Sequence, residues 1–387
     1  MIIIAVIFFE ITLYFLVKNL KKDFKWIISE DDEIPLFDKK ALKKFFEKSF
    51  DYDLGWVRKP LTKGIEKAKN KLITFNIDKF GSRKSNLDPS NAKIVSVGDS
   101  YTFCRQVEDH ETWQNSLSKL TGSSVLNYGV GNYGIDQAIL RFNKVHIPQD
   151  CEYAVLGFVP ETISRIQSYW KHYLEFGNTF AFKPKFEINN NSLRLIPQYV
   201  DAFEKYDLLK NNLKHIKSKD RFYKHKFLRH KFRFPYLFYF LKNFRFYSYL
   251  FYFLIKGRFI KTTNFHNKLF NRVVKQNLKE SQILYKEQKS TELLKKLINY
   301  YETICKEKKL KPIILIMPQL HDLKSTRMNH SKFFLNLKTK STIIDMTNIF
   351  KSHEIEKLYI DDFYGGHLSF FANKLVAKAI YSKISIK

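Results

Sequence analysis

Five short apolar runs, set among turns and helical patterns, limit what this chain can fold into more than any other feature. They are Lys93–Gly98, Ser124–Tyr128, Tyr153–Phe158, Pro312–Met317 and Thr342–Asp345. Each is compact, rich in Val, Ile and Leu, and too short for a helix of its own. Between them lie amphipathic stretches: Thr112–Leu120 with Trp113, Leu117 and Leu120 on one face, Asp136 to about Val145, and residues 291–308. A last one follows Ser369, with Leu375, Val376, Ala379 and Ile380 as its apolar face. Strands alternating with helices predict a parallel five-stranded sheet covered on both faces, a flavodoxin-like three-layer α/β fold. In such sheets the chemistry gathers at the carboxyl ends of the strands.

The rhythm is interrupted twice. Residues 1–20 read as an N-terminal transmembrane anchor and 21–90 as a polar lead-in. The α/β domain then takes 91–174 and 311–387, with 175–310 as an insertion. In the lead-in, Asp51–Trp56 reads as a turn with an aromatic anchor, and Gly81-Ser82-Arg83 and Asp88-Pro89-Ser90 as loops. The insertion opens with a hairpin over 183–195 that turns at Asn189-Asn190-Asn191.

The terminus and the insertion both point to membranes. Met1–Val17 is apolar apart from Glu10 and Thr12, and Lys18, Lys21, Lys22 and Lys25 follow. As a helix it reaches about 25 Å, against a hydrocarbon core of about 30 Å. The flanking cations favour a single-pass anchor with the rest of the chain on the cytoplasmic side; a signal peptide and a buried helix are the alternatives. Residues 221–261 hold no acid, eleven Lys or Arg and seventeen Phe or Tyr. Aromatics with snorkelling cations suit a membrane interface. An intramembrane hairpin and a buried cap over the site compete with that reading. The net charge of +29 favours anionic partners, although a solvated basic surface produces the same count. No nucleic-acid motif accompanies it, so no specific nucleic acid is expected. Three scattered cysteines form neither a disulfide framework nor metal spacing, and no cofactor or metal is expected.

Four motifs sit at predicted strand ends. Gly98-Asp99-Ser100 places a serine where a strand turns into a helix, with backbone donors that favour a developing anion. Asn127–Gln137 is glycine-rich, letting backbone approach a ligand. Gly157–Thr162 brings Glu161 and Thr162 to the same edge, where Thr162 could equally cap a helix. Asp361-Asp362-Phe363-Tyr364-Gly365-Gly366-His367 offers a histidine as base with acids beside it. Cys104, one helical turn from Ser100, is a rival nucleophile whose expected role is packing. Arg105, Gln137, Arg165 and His172 are candidates for the substrate path. His321-Asp322 reads as a surface pair near the rim.

Together these motifs resemble the SGNH (GDSL-type) hydrolase family over residues 91–172 and 310–387. The resemblance implies Ser100 as nucleophile, His367 as base and Asp362, or Asp361, as its acid. It implies an oxyanion hole from Ser100, Asn132, Gly131 and Thr162, with Asp99, Gly134, Gln137 and Glu161 near the substrate. Three positions depart from the family. Asn132 stands in place of a glycine, Glu161-Thr162 in place of an asparagine, and Tyr364 where the acid usually lies. The expected function is a membrane-associated esterase, deacetylase or O-acyltransferase acting on an acylated glycan or lipid-linked substrate. The alternative is a catalytically inactive SGNH-like glycan-binding or scaffold module.

Overall fold

The computed structural model describes all residues except Lys25, Asn70, 261–264, Arg327, 361–365 and Lys387; for 265–268 and Phe270 only the helical backbone is described. The chain divides into two compact units. The first comprises residues 1–55, 167–183 and 198–273, and the second 56–166, 184–197 and 274–387. The stretch 175–310, expected as one insertion, is thus shared between them.

The second unit holds the sheet. Its strands are β1 (Ala92–Gly98), β2 (Ser124–Asn127), β3 (Tyr153–Phe158), β4 (Lys311–Ile316) and β5 (Thr342–Asp345). They pair in parallel in the order β5-β4-β3-β1-β2. This is the flavodoxin-like order, with the switch between β1 and β3. All six residues of β3 are buried, as a central parallel strand covered on both faces must be. On one face Val155, Ile313, Leu315 and Ile344 pack with Trp113, Leu117, Val376 and Ile380. These last belong to the helices Trp113–Thr121 and Phe370–Tyr381. The other face is covered by Ile135–Phe142 and Gln288–Glu307, whose Phe142 and Tyr301 rings lie 5.6 Å apart.

Side-chain caps set the helix boundaries. The Thr112 hydroxyl accepts from Asn115 N–H at 3.2 Å, and Gly122 ends that helix in the left-handed region. Ser369 caps the last helix by accepting from Ala372 N–H at 3.2 Å. Leu120 is 40% exposed, because the core under this helix is filled by Trp113 and Leu117. The helix expected to run to Val145 ends at Phe142, before the turn to Pro148. The hairpin forms as Lys185–Asn189 against Ser192–Ile196, and Asn190 and Asn191 supply the two positive φ angles of its turn.

The first unit is helical and aromatic. The Asp220 carboxylate accepts backbone N–H groups from Tyr169, Trp170 and Phe222. Around it Trp170 stacks on Phe182, and Tyr173 meets Phe227. The acid-free segment is therefore partly core: Phe222, Phe227 and Phe232 are buried. Beyond Phe232 it forms the helices Tyr236–Lys242 and Phe244–Phe259. A separate cluster joins these to Ile2–Asp23 through Leu13, Val17, Leu20, Tyr247, Leu250 and Leu254. Among the described residues, Ile2–Asp23 is the one helix long and apolar enough to cross a membrane.

Candidate active site

The site forms where β1 and β3 end side by side. Gly98 and Gly157 are paired in register, and the fit leaves no room for side chains. A Cβ on Gly98 would lie 1.8 Å from the Gly157 carbonyl oxygen, and one on Gly157 would lie 2.4 Å from Thr102 Oγ1. That closeness lets Thr102 donate to the Gly157 carbonyl at 2.8 Å, clamping the short helix Ser100–Phe103 onto β3.

Asp99 caps that helix. One carboxylate oxygen accepts from Tyr101 N–H at 2.9 Å. The other accepts from Val159 N–H at 2.9 Å and Arg165 Nη1 at 3.3 Å. Burial pushes the Asp99 carboxyl above its ordinary pKa, while Arg165 and the two N–H donors oppose that shift. Asp99, expected near the substrate, is thus a tie between two loops.

Ser100 Oγ lies 3.0 Å from His367 Nε2. The two residues are separated by 267 positions in sequence, and both are buried, at 6% and 3% exposure. Backbone bonds hold the histidine's strand of chain in place: Ile360 N–H donates to the His367 carbonyl at 3.0 Å, and Ser369 N–H to that of Leu358 at 2.8 Å. The Tyr101 hydroxyl donates to the Gly366 carbonyl, and its ring lies 5.1 Å from the imidazole. Burial, followed by the positive charges of Arg105 and Arg165, holds His367 well below its ordinary pKa. It is therefore neutral at physiological pH and able to accept a proton. Among the described residues no group bonds its Nδ1. Asp361, Asp362 and Tyr364 lie outside the described residues.

The second motif runs alongside. Gly129 packs so tightly on the serine helix that a Cβ would meet Phe103 N at 2.2 Å. Gly131 and Asn132 form the next turn, Asn132 at φ 66° and the Gly131 carbonyl accepting from Trp56 Nε1 at 3.0 Å. Gly134 begins the helix Ile135–Phe142, in which Gln137 is buried. Thr162 caps that helix rather than its own: its buried hydroxyl accepts from Ile135 N–H at 3.0 Å. Glu161 pairs with Arg165 at 2.8 Å.

Of the remaining candidates, Cys104 is buried against Gln114, and burial pushes its thiol up to about 12, so packing is its role. His172 belongs to the first unit. There its Nε2 lies 2.7 Å from the Asp32 carbonyl oxygen, and its Nδ1 accepts from Gly177 N–H at 3.2 Å. Asp322 is no surface residue: it is buried, accepts from Gln319 N–H and Gln282 Nε2, and burial raises it to about 7. Among the described residues no group of three His, Cys, Asp or Glu is placed to hold a metal.

Sequence reasoning missed Arg83 and the role of Tyr101. Arg83 is 2% exposed, pairs with Asp109 at 2.7 Å and donates to the carbonyls of Phe103, Cys104 and Val107. It thereby fixes the chain leaving the serine helix. A lone arginine in a Gly-Ser-Arg loop gives no sequence sign of this.

No family model matches the chain, and no curated protein matches it. Among solved structures it is similar to "Structure of a putative lipolytic protein of G-D-S-L family from Desulfitobacterium hafniense DCB-2", at 10% identity and a TM-score of 0.32. That match covers 76% of this chain and all of the other. At this TM-score the similarity fixes neither family nor chemistry.

Proposed function

We propose that the protein is a serine esterase, deacetylase or O-acyltransferase of the SGNH type, acting on an acyl ester of a glycan or lipid-linked substrate. The observation that carries this reading is the 3.0 Å contact between Ser100 Oγ and a buried, neutral His367. Ser100 Oγ attacks the acyl carbonyl as His367 Nε2 takes its proton. The negative charge that develops on the carbonyl oxygen meets the Ser100 N–H at the first helical position and backbone N–H groups of the Gly131-Asn132 turn. His367 then protonates the leaving alcohol, and water or an acceptor hydroxyl resolves the acyl-enzyme. Asp362 is the acid proposed to hold Nδ1–H. The apolar N-terminal helix motivates a membrane-borne substrate.

Labelling with a serine-directed phosphonate tests both chemistry and access to the enclosed hydroxyl. The parent chain should label and Ser100→Ala should not. Normal ester turnover by Ser100→Ala would rule the reading out. So would a parent chain that neither labels nor turns over any acyl donor.

A further inference from the structure

The strands of the sheet have two ends, and the chemistry at Ser100 uses the carboxyl one. At the other, where β3, β4 and β5 begin, lies a groove of about 940 Å³. Small-molecule sites run from roughly 300 to 1,000 Å³, so the space suffices for a ligand. The six residues of β3 set it roughly 20 Å from the serine end of the sheet. Three stretches bound it: the start of β4 over Leu310–Ile313, the loop 338–342, and the face of the helix Gln288–Glu307 that carries Asn299, Thr303 and Lys306.

Five lysines line the groove: Lys306, Lys311, Lys338, Lys340 and Lys383. One acid does, Glu302, and the loop occupies it. Its Oε1 accepts the Lys340 and Ser341 N–H groups at 2.8 and 2.9 Å, the Ser341 hydroxyl at 2.7 Å, and the Thr339 hydroxyl. Glu302 thus pins the loop that carries Lys338 and Lys340 to the helix that carries Lys306. Lys311 lies 3.8 Å from Glu152, a carboxylate that also faces Lys93 at 3.9 Å. Among the described residues, Lys306, Lys338, Lys340 and Lys383 have neither an ion pair nor a side-chain hydrogen bond.

A net charge of +29 spreads lysines over the whole surface, and the dipole at the end of the helix Gln288–Glu307 favours a cation at Lys306. Neither effect gathers four unpaired ammonium groups, from three separate stretches of chain, around one concave surface. There the low-dielectric walls focus their field and the like charges repel one another, so an anion is favoured. Lysine holds phosphate as a point charge. Cations spread over a helix, a loop and the chain after the last helix suit more than one phosphate.

We propose that this groove binds a diphosphate group, held by Lys306, Lys338, Lys340 and Lys383. The site is separate from Ser100 and does not depend on the chemistry there.

The test is calorimetric titration of inorganic diphosphate into the full chain in detergent at physiological salt. Saturable binding of one diphosphate per chain is expected. Lys338→Gln with Lys340→Gln should weaken it roughly tenfold or more. Lys119→Gln with Lys378→Gln removes the same charge from exposed lysines on other helices of the same unit, and should leave binding unchanged. Lys306→Gln, on the helix rather than the loop, should also weaken binding. Thermal unfolding midpoints matching the parent's establish that lost binding is not lost folding. An absence of saturable binding by the parent, an unaltered affinity in both groove variants, or equal weakening by the groove and control pairs would each overturn the proposal. Competition then separates the sources of the group. Stronger displacement by farnesyl diphosphate identifies a lipid-borne diphosphate, and by uridine diphosphate a soluble one.

Discussion

His367 illustrates how one side chain inherits its chemistry from its surroundings. An imidazole in water is half protonated near pH 6.5 and is a poor base just below it. Here burial and the nearby Arg105 and Arg165 charges disfavour the imidazolium. Only the neutral form can accept the Ser100 proton, so the acid limb of kcat/KM should lie well below pH 6.5. Arg105, held by Glu66 at 2.5 Å, is partly exposed and replaceable. In Arg105→Gln, loss of its positive charge should move that limb to higher pH, read from the pH profile of phosphonate labelling. An unmoved limb would mean that Arg105 does not act on the histidine. The acid is a separate question. Asp362→Asn should lower kcat on the order of ten-thousandfold if it fixes the histidine tautomer, with Asp361→Asn as the control. A larger loss in Asp361→Asn would reassign the role.

Elements decide whether the serine is presented at all. The helix Ser100–Phe103 has a single turn and no stability of its own. It is held at its start by Asp99, at its side by Thr102 on Gly157, and beyond its end by Arg83. Arg83→Met would remove a charged donor from three carbonyls and from Asp109, which among the described residues would keep only Asn76, a loss of about 3–5 kcal/mol for a broken buried pair. Denaturant unfolding should show it, and hydrogen exchange should rise first across 99–107. Gly157→Ala should cost about 1–3 kcal/mol through overpacking against Thr102, and should lower turnover because the serine helix must shift. An unchanged kcat in Gly157→Ala would show that the clamp is not needed. These same elements show what a sequence reveals. The five strands, the Asn190-Asn191 turn and the Ser100–His367 pair were legible, because periodicity and turn chemistry are local and a serine after a strand has one geometry. Arg83, Tyr101 and the Asp99–Arg165 tie were not. Their partners are backbone carbonyls or distant side chains that only the fold brings near. Sequence alone offers Thr162 as an oxyanion donor or as the cap of its own helix, because nothing local links it to Ile135.

At the scale of the whole molecule, the two units carry titratable groups of different sign, and acid should separate them. In the first unit Glu33, His172 and His230 act one way. Burial lowers His172, and lowers His230 to about 3. Burial works against the charged form of Glu33, but hydrogen bonds from Lys217, Lys231 and Tyr223 outweigh it and bring the carboxyl to about 2. For each, the unfolded chain binds a proton at a higher pH than the folded one. Their stabilisation is therefore complete above the unfolded pKa and is lost as pH falls, from about 6.5 for the histidines and about 4.5 for Glu33. In the second unit the signs oppose. His330, lowered to about 4, and His367 behave likewise. Burial instead raises Asp78, Asp99 and Asp322, the last to about 7, and these favour the folded state as it takes up protons. Acidification from pH 7 to about 4 should thus weaken the first unit while the second gains on one side what it loses on the other. Hydrogen exchange, corrected for the intrinsic pH dependence of the amides, reads both units in one sample. Protection across Leu209–Lys219 and 222–232 should fall before that of β1 and β3. Simultaneous loss, or earlier loss in the sheet, would show that contacts other than these titrating groups set the acid limit of the fold.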